Sequence, residues 1–233
     1  MTLIECLQQL SWGELSNLSW GNDGKGSIRS DKVPVIVNFI NEALLRLYSK
    51  FALRKAVLFV ELTENRTQYH LSSKHAYTNT NSTEEKFIRD TEENPYKDDL
   101  IKIMEVWSNT HCKLPLNNHS EYWSVFTPSF DMLQVPHPVC GAVLSVVYQA
   151  RHPVLDFYSC PEKEINIPIS LESALKAYVA YLVYSGMNTQ EAVANSQKYL
   201  AQYDAIIRDT IEQDIVSSSY SQTNIKFNER GWV

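Results

Sequence analysis

The chain has 233 residues, 44% hydrophobic content and a formal net charge of -6. This length and composition allow a sizeable buried core, so disorder is not expected for the chain as a whole. The acidic balance argues against a surface that grips nucleic acid, because such binding uses Lys and Arg to replace counterions on phosphates.

The N-terminal half is predicted to contain two helices. Leu3, Ile4, Leu7 and Leu10 share one face of a short helix, and the segment WGELSNLSWGNDGKGS that follows has the composition of a loop. Core burial is the favoured interpretation for Trp12 and Trp20 in this region. Helix resumes near Asp31, with Pro34 in its first turn and apolar residues at three-four spacing: Val33, Ile36, Val37, Ile40, Ala43, Leu44, Leu47 and Tyr48.

The middle of the chain is predicted to form strands. The runs AVLFVEL and TQYHLS, separated by TENR, are typical of a hairpin with a four-residue loop. Further strands are predicted at LIKIMEVW, YWSVF, FDMLQV and AVLSVVYQA, which together indicate one small antiparallel sheet. The polar stretch from Lys74 to Asp99 is interpreted as a surface excursion, with one helical turn around Glu84 to Arg89.

The C-terminal part is predicted to be a helix hairpin. Ser170 is a plausible N-cap for the first helix, Gly186 ends it, and Asn188 with Glu191 gives a capping-box-like start to the second. The short connection predicts an antiparallel pair. The apolar faces of the two helices are Leu171, Ala174, Leu175, Tyr178, Val179 and Leu182, and then Val193, Leu200, Tyr203, Ile207, Ile211 and Ile215.

The predicted order of helix, sheet, helix hairpin and polar tail is that of an α+β chain with helices segregated from strands. We predict one α+β domain over residues 1–216, helical at 1–50 and 170–216 and β-rich at 51–169. Residues 217–233 are predicted to form an extended C-terminal arm.

Three groups of residues have the residue types of catalytic or binding sites. GNDGKGS contains Gly and Lys, as phosphate loops do, but Lys25 is followed by Gly26 where such a loop needs Ser or Thr. His111, Cys112 and His119 lack a fourth ligand and a zinc-knuckle pattern, so they are predicted to be loop residues. A nucleophilic pair of Cys140 with His137 or His152 depends on geometry that a sequence does not give.

The remaining acids and cysteines also give no catalytic signal. The adjacent acids Glu92 and Glu93, and Asp98 and Asp99, are predicted to be solvated. The cysteines, without a CxxC pair, are predicted to be free and mostly buried: Cys6, Cys112, Cys140 and Cys160. We therefore predict no catalytic residue, no cofactor and no metal, and a protein that is not an enzyme.

The C-terminal tip NIKFNERGWV follows the polar run SSSYSQT. A polar run does not offset its own ordering entropy, whereas the residue types at this tip anchor interfaces. The candidate partner-contacting residues are Ile225, Phe227, Arg230 and Trp232. The alternative is an ordinary frayed terminus with accidental aromatics.

No run of about 18 apolar residues occurs, and MTLIECLQQL lacks the features of a signal peptide, so the protein is expected in the cytosol. Several ordered phrases between about Asp31 and Ile215 resemble the head-to-tail adaptor, or connector, proteins of tailed bacteriophages. These phrases are INEALLRLYSKFAL, LIKIMEVW, LPLNNHSEYW, FDMLQVP, AVLSVVYQARHP and INIPISLESALKAYVAYLVY, followed by the helix around Tyr199 to Tyr203.

The resemblance implies a structural virion protein at the head-tail interface, assembled in the host cytoplasm. It implies a helical bundle with a long antiparallel helix hairpin, decorated by a small β-region, whose terminal arms reach the portal or a neighbouring subunit. The implied partners are the portal protein, a tail or nozzle protein and further copies in a ring, usually of twelve. DNA would pass through the lumen without sequence-specific binding, and no membrane is implied.

Two other functions stay open from the sequence. A small cytosolic hydrolase would use His and acidic residues of the strand region, and the four histidines to test are His111, His119, His137 and His152. A host-directed binding module, such as an inhibitor, would instead form a stable complex with a host protein.

Overall fold

The computed structural model describes residues 1–16, 18, 28–158 and 162–213. The chain forms two compact units, residues 1–166 and residues from Ile167 onward. The predicted boundary between a domain of 1–216 and an arm of 217–233 lies outside the described residues and stays a prediction. In its described part the protein is a mixed α+β fold with four α-helices: α1 (Leu3–Trp12), α2 (Val33–Lys50), α3 (Ile169–Ser185) and α4 (Gln190–Glu212).

The two N-terminal helices form where the apolar spacing predicts them. Thr2 caps α1 in a capping box with Glu5, which satisfies donors that the helix itself leaves unbonded. All eight apolar positions predicted for α2 are buried, and its proline stands in the first turn. The prediction that Trp12 is buried in the core is wrong, because its side chain, at the end of α1, is 66% exposed. Trp20 lies outside the described residues.

The β structure of the first unit is larger than predicted. Its five-stranded antiparallel sheet has the order β3-β1-β8-β4-β5. The strands are β1 (Lys55–Glu61), β3 (Ile88–Arg89), β4 (Leu100–Trp107), β5 (Lys113–Leu114) and β8 (Val143–Ala150).

A second antiparallel sheet has three strands in the order β2-β7-β6. These strands are β2 (Gln68–His70), β6 (Phe126–Ser129) and β7 (Met132–Gln134). Residues of both sheets form a single hydrophobic cluster that includes Val60, Tyr69, Leu133 and Val146. The two sheets therefore share one core. Alternate residues of the two central strands point into it, Leu58 and Val60 from β1 and Leu144, Val146 and Tyr148 from β8.

The expected helical bundle with a small β-region is therefore wrong, and so is the single small sheet. The predicted hairpin of AVLFVEL with TQYHLS is wrong as well, because β1 pairs with β8 and β3 while β2 pairs with β7 of the other sheet. The TENR segment connects two sheets. YWSVF is strand only from its last residue, Phe126.

The polar stretch from Lys74 to Asp99 is not a surface excursion. It contributes β3 to the larger sheet, and it buries Ala76, Phe87, Ile88 and Tyr96 in the shared core. The helical turn predicted around Glu84 to Arg89 is wrong, because residues 88–89 are extended and pair with β1.

The second unit contains the predicted helix hairpin. Pro168 rather than Ser170 precedes α3, Gly186 follows it as predicted, and the side chain of Thr189 caps α4 by accepting from Ala192 N–H. Tyr184 stacks on Tyr199, and Tyr178 contacts Tyr203, with ring centroids 5.6 and 4.9 Å apart. The later residue of α3, Tyr184, contacts the earlier residue of α4, Tyr199, so α3 and α4 are antiparallel.

A search of the described helices for a segment long and apolar enough to cross a membrane finds none.

Candidate protein-binding site

Of the candidate catalytic histidines, His152 is a buried structural residue, 6% exposed. Its Nδ1–H donates to the Pro153 carbonyl oxygen at 2.7 Å, and its Nε2 accepts from the Asn166 N–H at 3.3 Å. The ring also meets Tyr48 edge-to-face, with centroids 5.4 Å apart. Both ring nitrogens are thus engaged with backbone, and the neutral tautomer carries its proton on Nδ1.

We expect His152 to make the folded state less stable in weak acid. Burial lowers the pKa of His152 below its ordinary value of 6.5, against the opposing hydrogen bond to Pro153. The unfolded chain then binds more protons than the folded chain at pH values between the two pKa values. The free energy of unfolding should therefore fall as the pH falls through 6.5 towards the folded-state pKa.

The measurement is urea unfolding at several pH values between 7.5 and 5. His152→Gln should show a shallower loss of stability over this range than the wild type, although it is less stable at pH 7.5. Leu155→Ala weakens the same region at a buried apolar residue and should keep the wild-type slope. An identical slope for wild type and His152→Gln would contradict this assignment.

The other His and Cys candidates are exposed. His111 has a positive φ of 59° in the turn after β4, and Cys112 beside it is exposed. The ring of His119 lies against Phe126, and the ring of His137 stacks on Tyr122. No group of three or more His, Cys, Asp or Glu in residues 1–16, 18, 28–158 and 162–213 is arranged to hold a metal ion.

The cysteine and acid predictions are correct only in part. Cys6 is buried, but Cys112 and Cys140 are exposed, and Cys160 lies outside the described residues. Glu92 and Glu93 are exposed as predicted.

The prediction of a solvated Asp98 and Asp99 pair is correct for Asp98, which is exposed, and wrong for Asp99, whose side chain is only 14% exposed. Asp98 accepts hydrogen bonds from the backbone and hydroxyl of Ser73. Asp99 accepts from the Tyr148 hydroxyl at 2.9 Å and pairs with Arg54 at 3.2 Å. Both carboxylates therefore join distant segments of the first unit.

Two other predicted sites lie outside the described residues. These are the GNDGKGS loop with Lys25 and the C-terminal candidates Ile225, Phe227, Arg230 and Trp232.

The surface of the first unit carries an apolar groove of about 170 Å³ where the two sheets share their core. Its walls come from the ends of several strands and from two loops, and they include Leu62, Val135, Pro136, Val139 and Leu144. We call it the aromatic groove, because Tyr122 and Trp123 form its rim.

Tyr122 and Trp123 are 64% and 58% exposed, although they are large and aromatic. The Tyr122 ring is nearly parallel to that of His137, with centroids 4.1 Å apart and an interplanar angle of 11°. The ring of Trp123 meets the Tyr122 ring edge-on, with centroids 5.0 Å apart. The three rings form one aromatic cluster around Tyr122, and such rings lose little side-chain entropy when a partner covers them.

The loop that presents these rings is held by its own hydrogen bonds. Ser124 Oγ, which is buried, accepts from Asn118 N–H at 3.0 Å and donates to the Pro115 carbonyl at 3.2 Å. Asn117 has a positive φ of 57°, which Asn tolerates, and both atoms of its amide group bond Thr127. The loop that carries this aromatic cluster is therefore preorganised before any partner binds.

Comparison of the chain with protein-family models gives no match, and comparison with curated proteins gives none either.

The sequence did not single out the aromatic groove. The phrase LPLNNHSEYW belongs to the resemblance to adaptors, and the sequence predicts its two aromatics to lie in a strand. The available signal was the polar, turn-forming run LNNHSE directly before two aromatics, because a turn exposes large rings that a strand would bury on one face. Exposed aromatic and apolar side chains over a concave surface are suited to bind another protein.

Proposed function

We propose that this protein is a structural head-to-tail adaptor of a tailed bacteriophage, which adds to the portal ring and offers a docking surface to the tail. The observation that carries the proposal is the rigid pair Tyr122 and Trp123 at the rim of the aromatic groove. A non-catalytic adaptor needs such exposed interface residues, and two of the phrases that resemble adaptors, LPLNNHSEYW and FDMLQVP, contribute to this groove. The groove is then the surface that contacts the portal.

We expect the double variant Tyr122→Ala/Trp123→Ala to lose association with the portal protein of the same genome. Aromatic residues at the centre of an interface often contribute about 2 kcal/mol or more each, so the loss of both should lower the affinity by about 1,000-fold. The measurement is sedimentation of the purified protein, alone and mixed with portal rings. Wild type should co-sediment as a multi-copy ring.

Tyr158→Ala is the matched control, since this ring is 75% exposed but does not line the groove. It should bind the portal as wild type does. Wild-type binding by the double variant would remove the groove from the proposal and leave the adaptor function standing. Failure of the wild type itself to bind the portal at any salt concentration would overturn the adaptor function.

A host-directed binding module could use the same groove. A stable wild-type complex with a host protein, lost in the Tyr122→Ala/Trp123→Ala variant and unaccompanied by portal binding, would favour that function instead.

A further inference from the structure

The first unit ends in a short non-helical segment, residues 163–166, which we call the strap. Two backbone hydrogen bonds join its first part to the beginning of the chain. Ile165 N–H donates to the Met1 carbonyl oxygen at 2.8 Å, and Leu3 N–H donates to the Lys163 carbonyl oxygen at 3.1 Å. The strap is therefore fixed beside the start of α1 up to its last residue.

The last residue of the strap, Asn166, is held by two side chains. The Tyr48 hydroxyl of α2 donates to the Asn166 carbonyl oxygen, and the Asn166 N–H donates to His152 Nε2 at 3.3 Å. Tyr48 and His152 are 1% and 6% exposed, and their rings meet edge-to-face with centroids 5.4 Å apart. Two buried rings in contact thus hold one exposed residue, and we call this arrangement the latch.

The latch requires a neutral His152. The Nδ1–H of His152 donates to the Pro153 carbonyl oxygen at 2.7 Å, which leaves Nε2 as the acceptor for Asn166. Protonation puts a hydrogen on Nε2, so this hydrogen and that of the Asn166 amide then point at each other, and the bond between them is lost. A charged donor that is buried without an acceptor is unfavourable, so the strap has to move until water reaches the ring.

The groups around the imidazole oppose its protonation. Lys163 and Arg54 act on it as cations. Lys163 Nζ is held nearby by donating to the Val154 carbonyl oxygen at 2.8 Å, and Arg54 keeps its effect although it pairs with Asp99 at 3.2 Å. Burial raises the pKa of Tyr48, the other titratable group in contact with the ring, so its hydroxyl remains a donor.

We infer that His152 and Tyr48 form a pH-sensitive latch, in which protonation of His152 releases the strap from α2 while the two sheets stay folded. The opening is local, because it breaks the contacts of Asn166 and leaves the shared core of the sheets intact. Asn166 is the last residue of the first unit, so the latch determines the order of the backbone at this boundary.

The opening depends on pH in a defined direction. In the closed latch the pKa of His152 lies below 6.5, chiefly because the ring is buried, and solvent in the open latch returns the pKa towards 6.5. Between these two values the open state binds more protons than the closed state. Opening should therefore become more favourable as the pH falls from 6.5 towards the lower pKa. A single proton limits this change to about 10-fold in the opening equilibrium per pH unit.

The measurement is hydrogen exchange of the Asn166 amide in the whole protein, followed by NMR between pH 7.5 and 5. Its protection factor, which corrects for the intrinsic exchange rate, should fall by up to about 10-fold per pH unit below 6.5. The Val135 amide, which donates to the Thr67 carbonyl oxygen at 2.7 Å, is the internal control. It should stay better protected than Asn166 at every pH, because it opens only with the sheets.

Three variants separate the two side chains of the latch from other histidines. His152→Gln offers a neutral acceptor, so the protection of Asn166 should no longer change with pH. Tyr48→Phe keeps the ring and removes the donor, so protection should be about 5-fold lower at every pH with the wild-type slope. His119→Gln, at an exposed ring outside the latch, should behave as the wild type.

Three results would overturn the inference. They are a wild-type pH dependence in His152→Gln, equal protection of the Asn166 and Val135 amides, and a His152 ring that carries its proton on Nε2 at pH 7.5. If His152→Gln does not fold, nitrogen NMR of the wild-type ring decides, and a titration midpoint at or above 6.5 would contradict the latch. None of these measurements involves the portal, so the adaptor proposal is tested separately.

Discussion

Replacing Phe87 with Ala should lower the free energy of unfolding by about 3–5 kcal/mol, the usual cost of removing a buried ring. Phe87 is only 1% exposed. Its ring meets Tyr69 edge-to-face at 5.3 Å, stacks on His75 at 4.5 Å and lies 4.8 Å from the Arg66 guanidinium. Urea unfolding followed by circular dichroism measures the loss.

Phe130→Ala is the matched control for this measurement. The same ring is removed, but from a side chain that is 69% exposed, so the change should stay within about 0.5 kcal/mol. A loss below about 1 kcal/mol for Phe87→Ala would mean that the segment from Lys74 to Asp99 is the surface excursion that its composition suggests.

The buried residues of this segment give little local signal in the sequence. Phe87 and Ile88 are two adjacent apolar residues in a long polar stretch, too few for either a helical or a strand period. The segment is fixed by distant partners: Phe87 accepts from Glu61 N–H, and Asp98 bonds Ser73. Such pairings join residues about 25 apart, and local spacing contains no information about them.

Local residue spacing is sufficient to predict an element whose own apolar period matches its buried face. The eight apolar positions of α2, the bounds of β4 and the helix hairpin follow from periodicity, glycine and proline. Strand pairing did not follow, because AVLFVEL and TQYHLS are neighbours in sequence but belong to different sheets. The short loop between these two runs is typical of a hairpin, but β1 pairs with β8 and β2 pairs with β7.

The aromatic groove did not follow from the sequence. It depends on a turn that exposes Tyr122 and Trp123. Such a turn is a property of an irregular segment, where one hydrogen-bonded side chain such as Ser124 sets the path of the backbone. Residue type alone gives no sign of this role.

The helix hairpin of the second unit supplies the other large expected effect. Tyr203 is 1% exposed, and its ring lies 4.9 Å from that of Tyr178 on the facing helix. Tyr203→Ala should therefore cost about 3–5 kcal/mol, because the loss of buried aromatic area is followed by incomplete collapse of the cavity. Amide hydrogen exchange in α3 and α4 is the direct measurement, since it reports on these two helices alone.

Val193→Ala, on the same helix at a half-exposed position, is the control and should change exchange little, because Ala is also the better helix former. The expected contrast separates packing from helix propensity. If the rings of Tyr178 and Tyr203 hold the pair together, exchange must accelerate in both α3 and α4 when Tyr203 is truncated. Acceleration confined to α4 would mean that this residue stabilises only its own helix and that other contacts join the hairpin.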